Sequence, residues 1–131
     1  MLGNLFMKTK ILVVDDEAPI RELLSTYLAK YNYEVLVAGT GEEAQKAVNE
    51  EALHLVILDV VLPDSDGLEL LSTFRQSHPN LPVVMLTGIG FDEELLQEAQ
   101  QRGATGYISK TLPLDQLLME VRRVLNYKTG R

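Results

Sequence analysis

Five short runs in this chain are apolar at nearly every position, and each leads into a segment whose apolar residues recur every three or four positions. The runs are "KILVV" (10–14), "YEVLVA" (33–38), "LVIL" (55–58), "PVVMLT" (82–87) and "GYIS" (106–109). The third, "LVIL", is apolar at every position, as strands covered on both faces are. The intervening segments carry the helical period instead. In "DDEAPIRELLSTYLAKYN", Ile20, Leu23, Leu24, Tyr27, Leu28 and Tyr31 fall on one helical face. Asp16 or Glu17 is placed to cap that helix, and Pro19 suits its first turn. "GEEAQKAVNEEA" reads as a second helix with a thin apolar face, Ala44, Ala47 and Val48. "LELLSTFRQS" presents Leu68, Leu71 and Phe74, and "FDEELLQEAQQR" gives a fourth helix. In "PLDQLLMEVRRVLN", Leu114, Leu117, Leu118, Val121 and Leu125 point inward.

Regular alternation of strand and helix implies parallel strands with helices on both faces. Right-handed crossovers then leave only a few doubly wound sheets. The expected fold is α/β, a five-stranded doubly wound parallel sheet of order 2-1-3-4-5, the flavodoxin-like (βα)5 arrangement. The 131 residues, 46% hydrophobic and 24% charged, suit one globular domain. That domain is expected over residues 7–127, with residues 1–6 and 128–131 as tails and Met7 as an alternative start. The net charge of −7 argues against direct nucleic-acid binding, which needs a basic face. No apolar stretch is long enough to span a bilayer, and "MLGNLFMKTK" lacks the signal-peptide pattern. Without cysteine, disulfides and thiolate metal sites are excluded. A cytoplasmic location is expected, with no membrane partner.

In a parallel sheet every strand C-terminus lies on one edge, where ligands bind. The exits of strands 1, 3, 4 and 5 are Asp15-Asp16, Asp59, Thr87-Gly88 and Ser109-Lys110. Strands 1, 3 and 4 are neighbours in the expected order, so three carboxylates, a hydroxyl and an ammonium converge there. Crowded carboxylates either retain protons or recruit a cation. Oxygen ligands favour a hard ion, Mg²⁺ above all where phosphate is handled, with Mn²⁺ as a substitute. A carboxylate can also act as a nucleophile toward phosphorus, with Lys110 supplying positive charge and Thr87 a hydroxyl donor. Each residue alone has a plainer reading, as a helix cap, a turn former or a surface lysine. Their joint arrival at the strand exits favours a phosphoryl-accepting site.

The motifs "ILVVDDE" (11–17), "LVILDVVLPDSDG" (55–67), "VVMLTG" (83–88) and "GYISK" (106–110) occur in this order. With them the chain resembles a receiver domain of the bacterial two-component response regulators over roughly residues 9 to 127. The resemblance implies Asp59 as phosphoacceptor. It implies a Mg²⁺ site of Asp16, Asp15 (mainly through a bound water), Asp59 and the backbone carbonyl of Val61, with Thr87 and Lys110 on the phosphoryl oxygens. Tyr107 matches the family's switch aromatic, expected to turn inward as Thr87 moves toward the phosphoryl group. The surface of the fourth helix, fifth strand and fifth helix is then remodelled for a partner. The implied donor is a histidine kinase or phosphotransfer protein, or a small acyl phosphate. The resemblance also implies that the protein itself catalyses transfer and hydrolysis, as a signalling module rather than a metabolic enzyme. The given sequence stops at "NYKTGR", just beyond the fifth helix, so an unknown output partner or a missing output domain is expected to read the switch. A homodimer formed on phosphorylation is compatible with the resemblance.

Thr111 stands where the family usually has a proline preceded by a cis peptide bond, which leaves the path of the loop after Lys110 open. Val61 and Ile89 are apolar at two positions that tune hydrolysis, and neither can orient a water by hydrogen bonding. A slowly hydrolysing phosphoform is therefore expected. A metal-dependent phosphohydrolase needs an acid near its nucleophile, and the residue two after Asp59 is Val61. A flavin phosphate would be repelled by Asp15-Asp16-Glu17. A pseudo-receiver, serving only as a protein-binding scaffold, sits poorly with the complete set Asp15, Asp16, Asp59, Thr87 and Lys110.

Overall fold

The computed structural model describes residues 8–88, 90 and 92–128. Residues 1–6, Met7, Ile89, Phe91 and residues 129–131 lie outside the described residues. Strands β1 (Thr9–Val14), β2 (Tyr33–Ala38), β3 (Leu55–Asp59), β4 (Val83–Thr87) and β5 (Gly106–Ser109) alternate with five helices. The helices are α1 (Ala18–Ala29), α2 (Gly41–Glu50), α3 (Gly67–Ser77), α4 (Glu93–Gln101) and α5 (Leu114–Lys128). All strand pairs are parallel, and the sheet order is β2-β1-β3-β4-β5, as expected.

Successive strand residues point to opposite faces, which explains why whole runs are apolar. Leu12, Val14, Val56, Leu58, Val83 and Met85 face a core closed by Ala44 and Val48 of α2, Leu68, Leu71 and Phe74 of α3, and Ala99 of α4. Ile11, Val13, Leu55, Ile57, Val84 and Leu86 face the other core, closed by Leu24 and Leu28 of α1 and Leu117, Leu118, Val121 and Val124 of α5. Each fully buried side chain of this size contributes roughly 1.5–3 kcal/mol.

Two sequence expectations need correction. The apolar stripe of α1 is narrower than its periodicity suggests, because Leu23 and Tyr31 at its margins are exposed. Neither Asp16 nor Glu17 caps α1 through its side chain: Glu17 occupies the N-cap position but makes no such bond. Its carboxylate reaches Lys110 instead. The other acidic starts behave as caps should. Asp66 accepts the Leu68 N–H ahead of α3, and Asp92 accepts those of Glu94 and Leu95 ahead of α4.

Candidate functional site

The register of the sheet assembles the site. Val14 pairs with Leu58, Asp59 with Leu86, and Thr87 with Ser109, so β3 runs one residue beyond β1, β4 one beyond β3, and β5 ends level with β4. Asp15, Asp59, Thr87 and Lys110 are thereby brought to one edge. Asp15, Asp59 and Thr87 are all buried, an unusual set for a sheet interior otherwise filled by aliphatic residues. Close packing holds the backbone around Asp59. The Val60 N–H donates to Leu86 O at 3.0 Å, and a Cβ on Gly67 would collide with the Asp59 carbonyl. Only glycine lets α3 begin this close to the strand.

Lys110 joins the carboxylates. Its ammonium lies 2.9 Å from Asp59 Oδ2, 2.8 Å from Asp15 Oδ2 and 2.9 Å from Glu17 Oε1. An ammonium has three donors, and here three carboxylates surround it. The contact with Asp15 Oδ2 is an ion pair without an aligned hydrogen bond. Asp15 Oδ1 accepts the Glu17 N–H at 2.8 Å, and Asp59 Oδ1 accepts the Val61 N–H at 3.2 Å. Thr111, not proline, follows Lys110, and no peptide bond among the described residues is cis. The Lys110 N–H donates to Thr87 O at 2.7 Å, which continues the β4 ladder by one residue. Ser109 Oγ and Thr111 Oγ1 then share a hydrogen bond of 2.7 Å, and Ser109 Oγ accepts the Thr111 N–H at 3.1 Å. These hydroxyl contacts shape the turn on either side of Lys110, whose own backbone is held by Thr87 O.

Burial pushes the Asp59 carboxyl above the ordinary carboxylate range and neighbouring Asp15 adds to this, while Lys110 and the Val61 N–H pull the other way. Burial works against the Lys110 ammonium, but the carboxylates of Asp15, Glu17 and Asp59 around it outweigh that and hold its pKa above the ordinary lysine value. Lys110 is therefore a fixed positive charge, and Asp59 a carboxylate held at a cost.

Carboxylate oxygens of Asp15, Asp16 and Glu17 lie within 4.8 Å of one another. The Val61–Asp66 bridge is built from the Val60 carbonyl and the Leu62 N–H, which leaves the carbonyl of Val61 out of it. Donors of this kind, all oxygen and mostly anionic, fit a hard divalent cation. With Asp59 included, the edge carries four carboxylates, three of them on the Lys110 ammonium, a formal charge of −3 when all are ionised that a divalent ion would offset. Glu17 belongs to this acidic group, whereas the sequence reading places it as a helix cap and a source of negative charge but not among the metal ligands. Its signal was the third acid in "DDE" (15–17).

The Tyr107 phenol points inward, with its hydroxyl buried beside Thr87 and lacking an aligned hydrogen-bond partner. Burial pushes this phenol above its ordinary value, with Thr87 pulling it down and Asp92 adding to the rise. The inward position expected after phosphorylation is thus the one seen in this structure. Val61 is 71% exposed beside Asp59, and Ile89 lies outside the described residues.

Comparison with known proteins agrees with this geometry. Residues 11–122 match the family model of the response regulator receiver domain. The transcriptional regulatory protein SrrA of Staphylococcus aureus is 34% identical over 119 residues, which are 91% of this chain and 48% of SrrA. The chain therefore spans about half the length of the curated relatives it matches. A CheY-like receiver domain protein from Methanospirillum hungatei superposes with a TM-score of 0.90 at 29% identity, covering 95% of this chain and 98% of that one. The receiver domain of NtrX from Brucella abortus gives a TM-score of 0.83 at 41% identity, covering 88% and 98%. With the family model spanning nearly all of the described sheet and its helices, the chain belongs to the response regulator receiver domain family.

Proposed function

We propose that this chain is a phosphorylation-activated switch in which Asp59 accepts a phosphoryl group from a histidine kinase or phosphotransfer protein. The observation that carries the reading is Lys110 fixed 2.9 Å from a buried Asp59, beside the acidic group of Asp15, Asp16 and Glu17. An Asp59 oxygen attacks the phosphorus of a phosphohistidine. The P–N bond breaks, and the imidazole leaves with its electron pair and takes up a proton. Lys110 and the Thr87 hydroxyl hold the transferred oxygens, the first as a point charge and the second as a donor. Asp15, Asp16, Asp59 and the Val61 carbonyl would hold Mg²⁺, or Mn²⁺ in its place, which supplies neutralising charge to the phosphoryl group.

The product carries about −1.5 to −2 charges beside Thr87 and Tyr107. The readout proposed is a change in the α4-β5-α5 surface, with Tyr107 already inward and Thr87 as the moving part. A partner protein, a second copy of the chain or a following domain would read it. Val61, and Ile89 by its chemistry, offer no hydrogen bond to an attacking water, so the phosphoform should outlast seconds. Among the described residues no helix is long and apolar enough to cross a membrane. The family's kinase partners support a cytoplasmic site of action for a domain over residues 7–127.

Phosphotransfer from a panel of phosphorylated histidine kinases, followed by label on the protein with and without chelator, tests the partner class. Label that appears on wild type only with Mg²⁺, and never on Asp59→Asn, is the expected result. Label retained by Asp59→Asn would assign the acceptor elsewhere.

A further inference from the structure

The loop between Asp59 and α3 is tied down by a carboxylate that the phosphoryl transfer above does not use. Asp64 Oδ1 accepts the Gly41 N–H at 2.8 Å, and Asp64 Oδ2 accepts the Glu42 N–H at 3.1 Å. These are the first amides of α2, which have no partner within the helix, and a carboxylate there also complements the helix dipole. The next amide, of Glu43, is taken by the Thr40 side chain. The two segments approach so closely that a Cβ on Gly41 would collide with the Ser65 hydroxyl.

The rest of the loop is anchored on its other side. Leu62 is buried, its N–H donates to Ser65 O at 3.3 Å, and the Gly67 N–H donates to Val60 O at 2.7 Å. Val61 lies among these anchors with its own side chain in solvent. Its N–H reaches Asp59 Oδ1 at 3.2 Å, and its carbonyl is the proposed metal ligand. Val61 thus serves the site by backbone alone, and the loop's tethers are what fix that backbone.

From this geometry we infer that Asp64 is a positioning residue for the phosphoryl-accepting site. By clamping the 61–66 loop to the N-terminus of α2, it fixes the amide and carbonyl of Val61 that serve Asp59 and the metal. The inference rests on the reading of Asp59 and its Mg²⁺ site proposed above. A residue that merely capped α2 would alter stability without altering metal affinity, and that difference is measurable.

The test uses the full chain as wild type, Asp64→Ala and Asp64→Asn. Mg²⁺ alone is titrated calorimetrically, and mass gain from acetyl phosphate is followed across Mg²⁺ concentrations. Removing a group that orients a metal ligand costs about 10–100-fold in affinity. Because Asp64 acts through a loop, Asp64→Ala should raise the Kd for Mg²⁺ about tenfold. The rate at limiting Mg²⁺ should fall in step, and Asp64→Asn, which keeps one acceptor, should lie between. A natively folded Asp64→Ala whose Kd stays within twofold of wild type overturns the inference. Should Asp64→Ala fail to fold, Asp64→Asn and Asp64→Ser are judged by the same threshold. A wild type that neither binds Mg²⁺ nor gains mass overturns the underlying reading and this inference with it. Normal behaviour of wild type alongside an unshifted variant overturns this inference alone.

Discussion

Lys110 and Asp59 are 51 residues apart in sequence, yet Lys110 Nζ donates to Asp59 Oδ2 at 2.9 Å across the exits of β5 and β3. Two more carboxylates share that ammonium, so its removal should be felt by all three. Lys110→Ala leaves Asp15 and Asp59 buried without their cation, and breaking a buried pair typically costs about 3 kcal/mol or more. Urea denaturation without metal should show a loss of about 3 kcal/mol, at the low end because solvent reaches Glu17. Added Mg²⁺ should recover part of it.

The Asp59 carboxyl supplies a pH test. Burial first, and Asp15 second, raise its pKa on folding. The folded chain therefore holds this proton more tightly than the unfolded chain, and the cost of ionising it is paid as pH rises. The cost is absent below the unfolded value, about 4, and complete above the folded value. In metal-free buffer Asp59→Asn should thus have a higher urea midpoint than wild type at pH 7, with the difference closing toward pH 3. Lys110 is shifted upward as well, so its stabilisation is intact throughout this range and fades only in strong alkali.

Metal binding should appear as stability. A ligand that binds only the folded state stabilises it by RT ln(1 + [L]/Kd), about 2.7 kcal/mol at a hundredfold excess over Kd. Wild type should melt at a higher temperature as Mg²⁺ is added, and Asp16→Asn should respond much less. Equal responses would remove Asp16 from the metal site.

The turn after Lys110 should tolerate change. Lys110 is positioned by its own N–H on Thr87 O at 2.7 Å, while the Ser109–Thr111 hydroxyl pair lies in solvent. Thr111→Ala should leave the rate of phosphoryl transfer within about threefold of wild type, since an exposed hydrogen bond of this kind contributes roughly 0.5–1.5 kcal/mol. A collapse of transfer would show that the hydroxyl turn itself holds Lys110.

Tyr107→Phe removes a buried hydroxyl that lacks an aligned partner. Stability should change by less than about 1 kcal/mol, in either direction, because no well-formed hydrogen bond is lost. Thermal melts of the two proteins compare this directly.

The central strands β3 and β4 were legible because burial on both faces leaves a continuous apolar run, as "LVIL" before Asp59 illustrates. The convergence of Asp15, Asp59, Thr87 and Lys110 followed from topology alone, since parallel strands share one exit edge. Glu17 was misread because a carboxylate at a helix start normally caps it, and the pull of Lys110 from β5 is invisible in local sequence. Asp64 was hidden for the same reason: its partners, Gly41 and Glu42, lie more than twenty residues away on another helix. The exposure of Leu23 depended on how α1 rests against the sheet, and that of Tyr31 on the helix ending at Ala29, neither of which periodicity fixes.

The most direct test of the central claim is intact mass after incubation with Mg²⁺ and acetyl phosphate, for wild type and Asp59→Asn. The account predicts one added phosphoryl group on wild type, abolished by chelator and absent from the variant. Phosphorylation of the variant to the same extent, or a wild type that stays unmodified both here and with phosphorylated kinases, would contradict it.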